Sequence, residues 1–223
     1  MRTHLSLTYG TESPLPPAFD DDHDVRMPAV LVERLLEEFT EPGDRVLDPF
    51  AGFGTTLTVA ERLDREPFGV EYEHRRAEYV AERIERPENV LRGDAFDLPL
   101  DRFPTVECVL TSPPFMNEWI ESNPFENYSG ESSYEQYLDD VEGIFAGVRD
   151  QLAPGGVALV HVSNMKYDGD VSTPAWDVAD AVGNVLHFDG EIAVTWEGGA
   201  DEREGTFGYG YDHSYCLVFE KAD

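Results

Sequence analysis

Short runs of apolar and β-branched residues alternate with helix-period segments along nearly the whole chain, and this alternation narrows the possible folds. Leu31, Val32, Leu35, Leu36 and Phe39 recur at helical spacing behind Pro28, so Pro28–Phe39 is expected to be a helix. The same reasoning places helices over 55–63, 73–84, 133–152 and 174 to about 187, the last capped by Thr173. Between them, strands are expected over 45–47, 68–71, 90–92, 106–111, 157–162, 192–196 and 215–219. Strand–helix alternation predicts a mostly parallel sheet with helices on both faces. No helix separates the last two of these seven strands, so the last is expected to enter antiparallel. Residues 1–26 are Pro- and Asp-rich and read as an extended N-terminal arm, with a single domain over 27–223.

Between the first strand and the second helix runs Asp48-Pro49-Phe50-Ala51-Gly52-Phe53-Gly54-Thr55-Thr56. Glycines there let the backbone approach a ligand, and the helix N-terminus adds partial positive charge. No lysine is present, which excludes a phosphate-cradling P-loop, and the third glycine of the dinucleotide fingerprint is absent. Glu71 ends the next strand, with Tyr72 after it, where a ribose diol would need an acceptor. Asp94 and Ala95 follow the third strand, and Asp94 can accept from an adenine amino group. Taken singly, either acid also reads as a solvated strand end.

The fourth strand ends in Thr111-Ser112-Pro113-Pro114-Phe115. Two prolines cannot extend a strand ladder, because neither has an N–H, so one reading is a strand terminator. The other reading is chemical. An exocyclic amino nitrogen on a nucleobase is a poor nucleophile, since its lone pair is delocalised into the ring. Two acceptors at fixed separation would draw it toward tetrahedral geometry. Ser112 Oγ and the Pro113 carbonyl are candidates, Pro113 and Pro114 stiffen the turn, and Phe115 offers a stacking face.

The loop over 48–56 resembles the adenosylmethionine-binding motif of nucleic-acid amino-methyltransferases, which reads Asp-Pro-Phe-x-Gly-x-Gly-Thr-Thr. Ser112–Phe115 resembles the same family's Ser/Asp/Asn-Pro-Pro-Tyr/Phe/Trp motif. The segment His23–Pro28 resembles, more loosely, an extra cofactor motif of that family. The resemblance implies a Rossmann-like class I methyltransferase fold, with a seven-stranded, mostly parallel sheet and an antiparallel last strand. It implies S-adenosyl-L-methionine as cofactor, held by Asp48, Pro49, Phe50, Ala51, Gly52, Gly54, Thr55, Thr56, Glu71, Tyr72, Asp94 and Ala95. It also implies catalysis by Ser112, Pro113, Pro114 and Phe115. Serine in the first place of the motif is typical of members acting on cytosine N4, aspartate of those acting on adenine N6, and asparagine of glutamine-modifying enzymes.

Other chemistries fit poorly. A C5-cytosine enzyme needs a nucleophilic cysteine, but Cys108 lies inside an apolar strand and no Pro-Cys pair occurs. The six histidines and two cysteines show no metal spacing, so no metal is expected. Both cysteines sit in apolar runs and are expected as reduced core thiols, which fits a cytoplasmic protein. No stretch is long and apolar enough to cross a bilayer, and Met1–Gly10 lacks the order of a signal peptide.

Charge is the unusual feature. Asp and Glu number 46 against 16 Lys and Arg, a net charge of −30, and the only lysines are Lys166 and Lys221. No basic footprint marks a nucleic-acid partner. Either the partner is not a nucleic acid, or the protein works in concentrated salt, where such attraction is screened. The acids are dispersed along the chain and lysine is nearly absent, which resembles the proteins of salt-loving archaea and favours the second reading.

A DNA or RNA partner then has to be met by uncharged contacts. The long segments over 116–132 and 198–212 remain for this, together with the arm. Asn117 and Trp119, with Asn123, Phe125 and Tyr128, suit base stacking and edge contacts, or else Trp119 and Phe125 anchor the segment to the core. The Gly198–Asp212 segment reads as a hairpin or lid. Three functions are compatible: a DNA amino-methyltransferase acting on cytosine N4 or adenine N6, a ribosomal or transfer RNA amino-methyltransferase, and a catalytically silent cofactor-binding subunit.

Overall fold

The computed structural model describes residues 2–8, 15–17, 19, 26–98, 102–120, 122–126, 132–197 and 210–222. In chain order the elements are β1 (His4–Thr8), α1 (Ala29–Phe39), β2 (Arg45–Asp48), α2 (Thr55–Arg62), β3 (Glu66–Glu71), α3 (His74–Ala81), β4 (Val90–Arg92), β5 (Val106–Thr111), α4 (Tyr134–Gln151), β6 (Leu152–Val162), β7 (Met165–Tyr167), β8 (Asp170–Ser172), α5 (Pro174–Gly183), β9 (His187–Glu197) and β10 (His213–Glu220). The main sheet has the order β1-β9-β10-β6-β5-β2-β3-β4. Only β10 runs antiparallel to its neighbours, β6 and β9.

Helices cover both faces. On one, Tyr137, Phe145 and Val148 of α4 and Val178 and Val182 of α5 pack with Val109, Val160, Leu217 and Phe219 of the sheet. On the other, Leu31, Val32, Leu35 and Leu36 of α1 pack with Val46, Cys108, Leu110, Leu159 and Cys216. These are the alternate side chains of the same strands, as the two-residue period of a strand requires. Cys108 and Cys216 are free, buried thiols, and burial pushes both well above the ordinary thiol range.

The structure differs from the sequence reading at several places, among them the early starts of β6 at Leu152 and of β9 at His187. The arm is extended over 4–8, but it docks as an eighth strand, parallel to β9, because Leu5 and Leu7 bury their side chains beside α1. A short hairpin, β7–β8, follows β6. Its turn places Asp168 at φ +49° and Gly169 at φ +94°, the left-handed pair that an Asp-Gly hairpin turn requires. Helix α5 ends at Gly183, short of His187. Thr173 makes no side-chain cap bond there. Asn164 Oδ1 instead accepts from the Ala175 N–H at 3.0 Å, so the cap comes from the residue just ahead of β7. No described helix is long and apolar enough to cross a membrane.

The chain leaves β2 toward β3 and β4 on one side, and returns through β5 to β6 on the other. The carboxyl ends of β2 and β5 therefore flank the point where strand order reverses. Connections diverge there and leave a crevice, the usual ligand site of an open α/β sheet.

Candidate active site

Asp48 ends β2, and Ser112 follows β5 directly. The two strands are hydrogen-bonded neighbours, with Leu47 beside Val109. The glycine loop and the Ser-Pro-Pro-Phe turn thus emerge side by side. Together they line a cavity of about 540 Å³, within the range of small-molecule sites.

Of the expected cofactor contacts, Asp48, Pro49, Phe50, Ala51, Gly52, Thr55, Thr56, Glu71, Tyr72, Asp94 and Ala95 line this cavity. Gly54 does not. A Cβ on Gly54 would lie 2.7 Å from Val80 Cγ1, so this glycine lets the loop close onto α3. Gly52 differs: a Cβ there would meet nothing nearer than the Phe50 carbonyl oxygen at 3.8 Å, leaving room beside the loop for a ligand. Both have positive φ, +54° and +79°, a region that other residues enter only at a cost.

The Asp48 carboxylate is buried. Its Oδ1 accepts from the Thr111 hydroxyl at 2.6 Å and from the Phe50 N–H at 3.0 Å. Burial raises its pKa to about 6, and these hydrogen bonds offset only part of that rise. Thr56 lies close enough to the carboxylate to pull in the same lowering direction. Its Oγ1 completes no hydrogen bond in this geometry, so Thr111 and Phe50 are the partners that hold the acid. Glu71 is also buried. Its oxygens accept from the N–H groups of Gly52 and Glu73, each at 2.8 Å. Burial raises its pKa, opposed by those N–H groups and by the charge of Arg76. A carboxylate held this way keeps lone pairs for a diol. Asp94 accepts from the Phe96 N–H at 3.1 Å and is exposed.

Ser112, Pro113, Pro114 and Phe115 all line the cavity. Ser112 Oγ donates to the His161 carbonyl at 3.1 Å. His161 is buried, its Nε2 lies 2.9 Å from Ser214 Oγ, and burial lowers its pKa to about 4. It is a neutral interior residue whose backbone supports the serine.

The expected substrate contacts fare differently. Asn117 and Trp119 do not line the cavity. Asn117 is buried; its Nδ2 donates to Met165 Sδ at 2.8 Å and its Oδ1 accepts from the Trp119 N–H at 2.9 Å. The amide therefore holds the turn to the β7–β8 hairpin rather than offering an edge to a base. Asn123 is likewise buried, joined to Asp140 and to the Phe125 N–H. Phe125 does line the cavity. Tyr128 and residues 198–209, the bulk of the expected lid, lie outside the described residues, as do residues 23–25 of the extra motif. Arg26 and Met27 from that motif line the cavity. Thr111, Tyr137 and Arg76 were not singled out by sequence reasoning. Thr111 and Tyr137 read as strand and helix core, and no sequence signal distinguishes such positions from site residues.

The residues present fit adenosylmethionine: an open glycine cradle at Gly52 and two carboxylates at successive strand ends, in a cavity of suitable size. A family profile described as DNA methylase of the N6/N4 methyltransferase type matches residues 6–82 and 106–223. The type II methyltransferase M.BglII of Bacillus subtilis is 46% identical over 61 residues, which is 27% of this chain and 16% of that protein. The type II methyltransferase M2.DpnII of Streptococcus pneumoniae is 40% identical over 63 residues, 28% of this chain and 24% of its own length. The alignments thus span under a quarter of either relative. Among solved structures, a TehB-like SAM-dependent methyltransferase from Corynebacterium glutamicum superposes with a TM-score of 0.53 at 14% identity, covering 92% of this chain and 91% of its own. That likeness concerns the fold alone.

Proposed function

This chain belongs to the N6/N4 DNA methylase family, and on that premise we propose that it transfers a methyl group from S-adenosylmethionine to the exocyclic amino group of a DNA base, cytosine N4 by preference. One observation carries the reading: the glycine loop and the Ser-Pro-Pro-Phe turn line a single cavity, so the cofactor site and the amine site adjoin. In this reading Glu71 holds the ribose hydroxyls, Asp94 the adenine amino group, and Asp48 and Gly52 the methionine part. Bound adenosylmethionine supplies an electrophilic methyl on a sulfonium, a leaving group that needs no further activation.

The protein's own work concerns the amine. Because the Ser112 hydroxyl donates its hydrogen to the His161 carbonyl, its lone pairs are left as acceptors toward the substrate. No donor among the described residues meets the Pro113 carbonyl. These two acceptors hold the amine N–H bonds and turn the nitrogen lone pair toward the methyl, a positioning effect. Phe115 offers its ring to the extruded base. Serine rather than aspartate at 112 supports cytosine over adenine. The reduced thiols and the screened, acid-rich surface fit a cytoplasm of high salt.

Nucleoside mass spectrometry tests the substrate. Unmodified DNA and, separately, ribosomal and transfer RNA are incubated with the protein and labelled cofactor in concentrated potassium chloride. N4-methylcytosine in DNA is expected. N6-methyladenine would correct the base, and label confined to RNA would overturn the DNA reading.

A further inference from the structure

The Pro113–Pro114 unit has no N–H of its own, so it can be anchored only through its carbonyls. One anchor is visible. Tyr137, in the first turn of α4, donates its hydroxyl hydrogen to the Pro114 carbonyl at 3.1 Å. Tyr137 is only 1% exposed, and its ring is held on two sides. Phe125 stacks on it at 5.3 Å with 5° between the planes, and Tyr134 at 5.8 Å with 13°. Tyr134 is itself tied to α5, donating to Asp177 Oδ2 at 2.9 Å. Phe125 also reaches Phe50 of the glycine loop, 5.7 Å between centroids.

This arrangement separates the two proline carbonyls. The Pro114 oxygen is engaged by a phenol fixed to a long helix, while the Pro113 oxygen has no described donor. A proline fixes φ, so holding one carbonyl of the pair limits rotation of the peptide before it. We infer that Tyr137 is a positioning residue: its hydroxyl fixes the direction of the Pro113 carbonyl, the second acceptor for the substrate amine. The inference rests on the reading of the site as an amino-methyltransferase. It gives the phenol a part in turnover that its ring, one wall of the cavity, does not have.

Tyr137→Phe removes one oxygen and leaves the stack intact, so it separates the two parts. Steady-state methylation of DNA, calorimetry with adenosylmethionine and thermal unfolding are compared with wild type. The expected result is a fall in kcat of about tenfold, the worth of one neutral hydrogen bond, with cofactor Kd and DNA KM within about twofold. Tyr137→Leu, which also breaks the stack, is expected to lose cofactor affinity as well. A Tyr137→Phe kcat within twofold of wild type overturns the inference. So does a parallel loss of kcat and cofactor affinity, which would make the phenol part of the cofactor pocket. A wild-type protein that transfers no methyl to DNA or RNA is a different failure: it removes the proposed reaction, and this inference with it.

Discussion

Thr111 donates its hydroxyl hydrogen to the Asp48 carboxylate across 2.6 Å. The residue preceding Ser112, the proposed amine acceptor, is thereby joined to the acid that opens the glycine loop. These residues are 63 apart in sequence and meet because β2 and β5 are neighbours at the reversal of strand order. Loop and turn are therefore one mechanical unit, and changes to Asp48 should be felt at both.

Asp48→Ala is expected to abolish adenosylmethionine binding, because it removes the acceptor for both Thr111 and the Phe50 N–H. Unchanged affinity by calorimetry would contradict this.

Asp48→Asn separates charge from shape. The native carboxyl titrates near 6 and the unfolded one near 3.8, so between these values the folded protein holds a proton that the unfolded chain has lost. This contribution to stability is complete below 3.8, declines as pH rises and is gone above 6. It amounts to about 3 kcal/mol. The neutral amide lacks that loss. Denaturant unfolding from pH 4 to 7 should show wild type weakening relative to Asp48→Asn, with the variant the more stable at pH 7 but the weaker cofactor binder. Parallel stability curves would show the carboxyl to be ordinarily solvated.

The two loop glycines should fail in different ways. Gly54→Ala puts a methyl 2.7 Å from Val80 Cγ1 at positive φ, and is expected to destabilise the fold by about 2–4 kcal/mol. Gly52→Ala has space around its methyl. It should cost only about 1–2 kcal/mol of backbone strain while reducing cofactor affinity strongly. Chemical denaturation and calorimetry on both variants check this contrast.

A chain of net charge −30 repels itself least when salt is high. Raising potassium chloride from about 0.1 M to about 1 M shortens the screening length from about 10 Å to about 3 Å. The thermal midpoint should rise across that range. A flat or falling midpoint would count against adaptation to concentrated salt.

Much of this was legible in the sequence for a local reason. Both motifs sit at strand ends, where composition changes abruptly from apolar to Gly or Pro, and all but Gly54 of their proposed contacts line the cavity. β1 was less legible: His-Leu-Ser-Leu-Thr alternates as a strand should, but five residues before a Pro-rich stretch give a weak signal, and only docking against β9 makes them a strand. The Asp168–Gly169 turn was visible as a dipeptide, yet its flanking strands have only three residues each. Tyr137 and Thr111 were illegible as site residues, because helical or strand periodicity says which face is inward and not which inward hydroxyl reaches a functional turn. Asn117 and Trp119 show the converse: an amide after such a motif suits a base edge as well as it suits the Asx turn that Asn117 makes with the Trp119 N–H, while the Trp119 indole stays exposed.

The proposed amine site is tested most directly by methyl transfer by Ser112→Ala beside wild type, with labelled adenosylmethionine, unmodified DNA and calorimetric cofactor affinities in the same concentrated salt. Wild type is expected to give labelled methylamino base, and the variant to lose most turnover while binding the cofactor equally well. The variant should also lose about 1 kcal/mol of stability with its bond to the His161 carbonyl. Wild-type turnover by Ser112→Ala would mean that the serine only ends a strand, and the proposed amine site would be wrong.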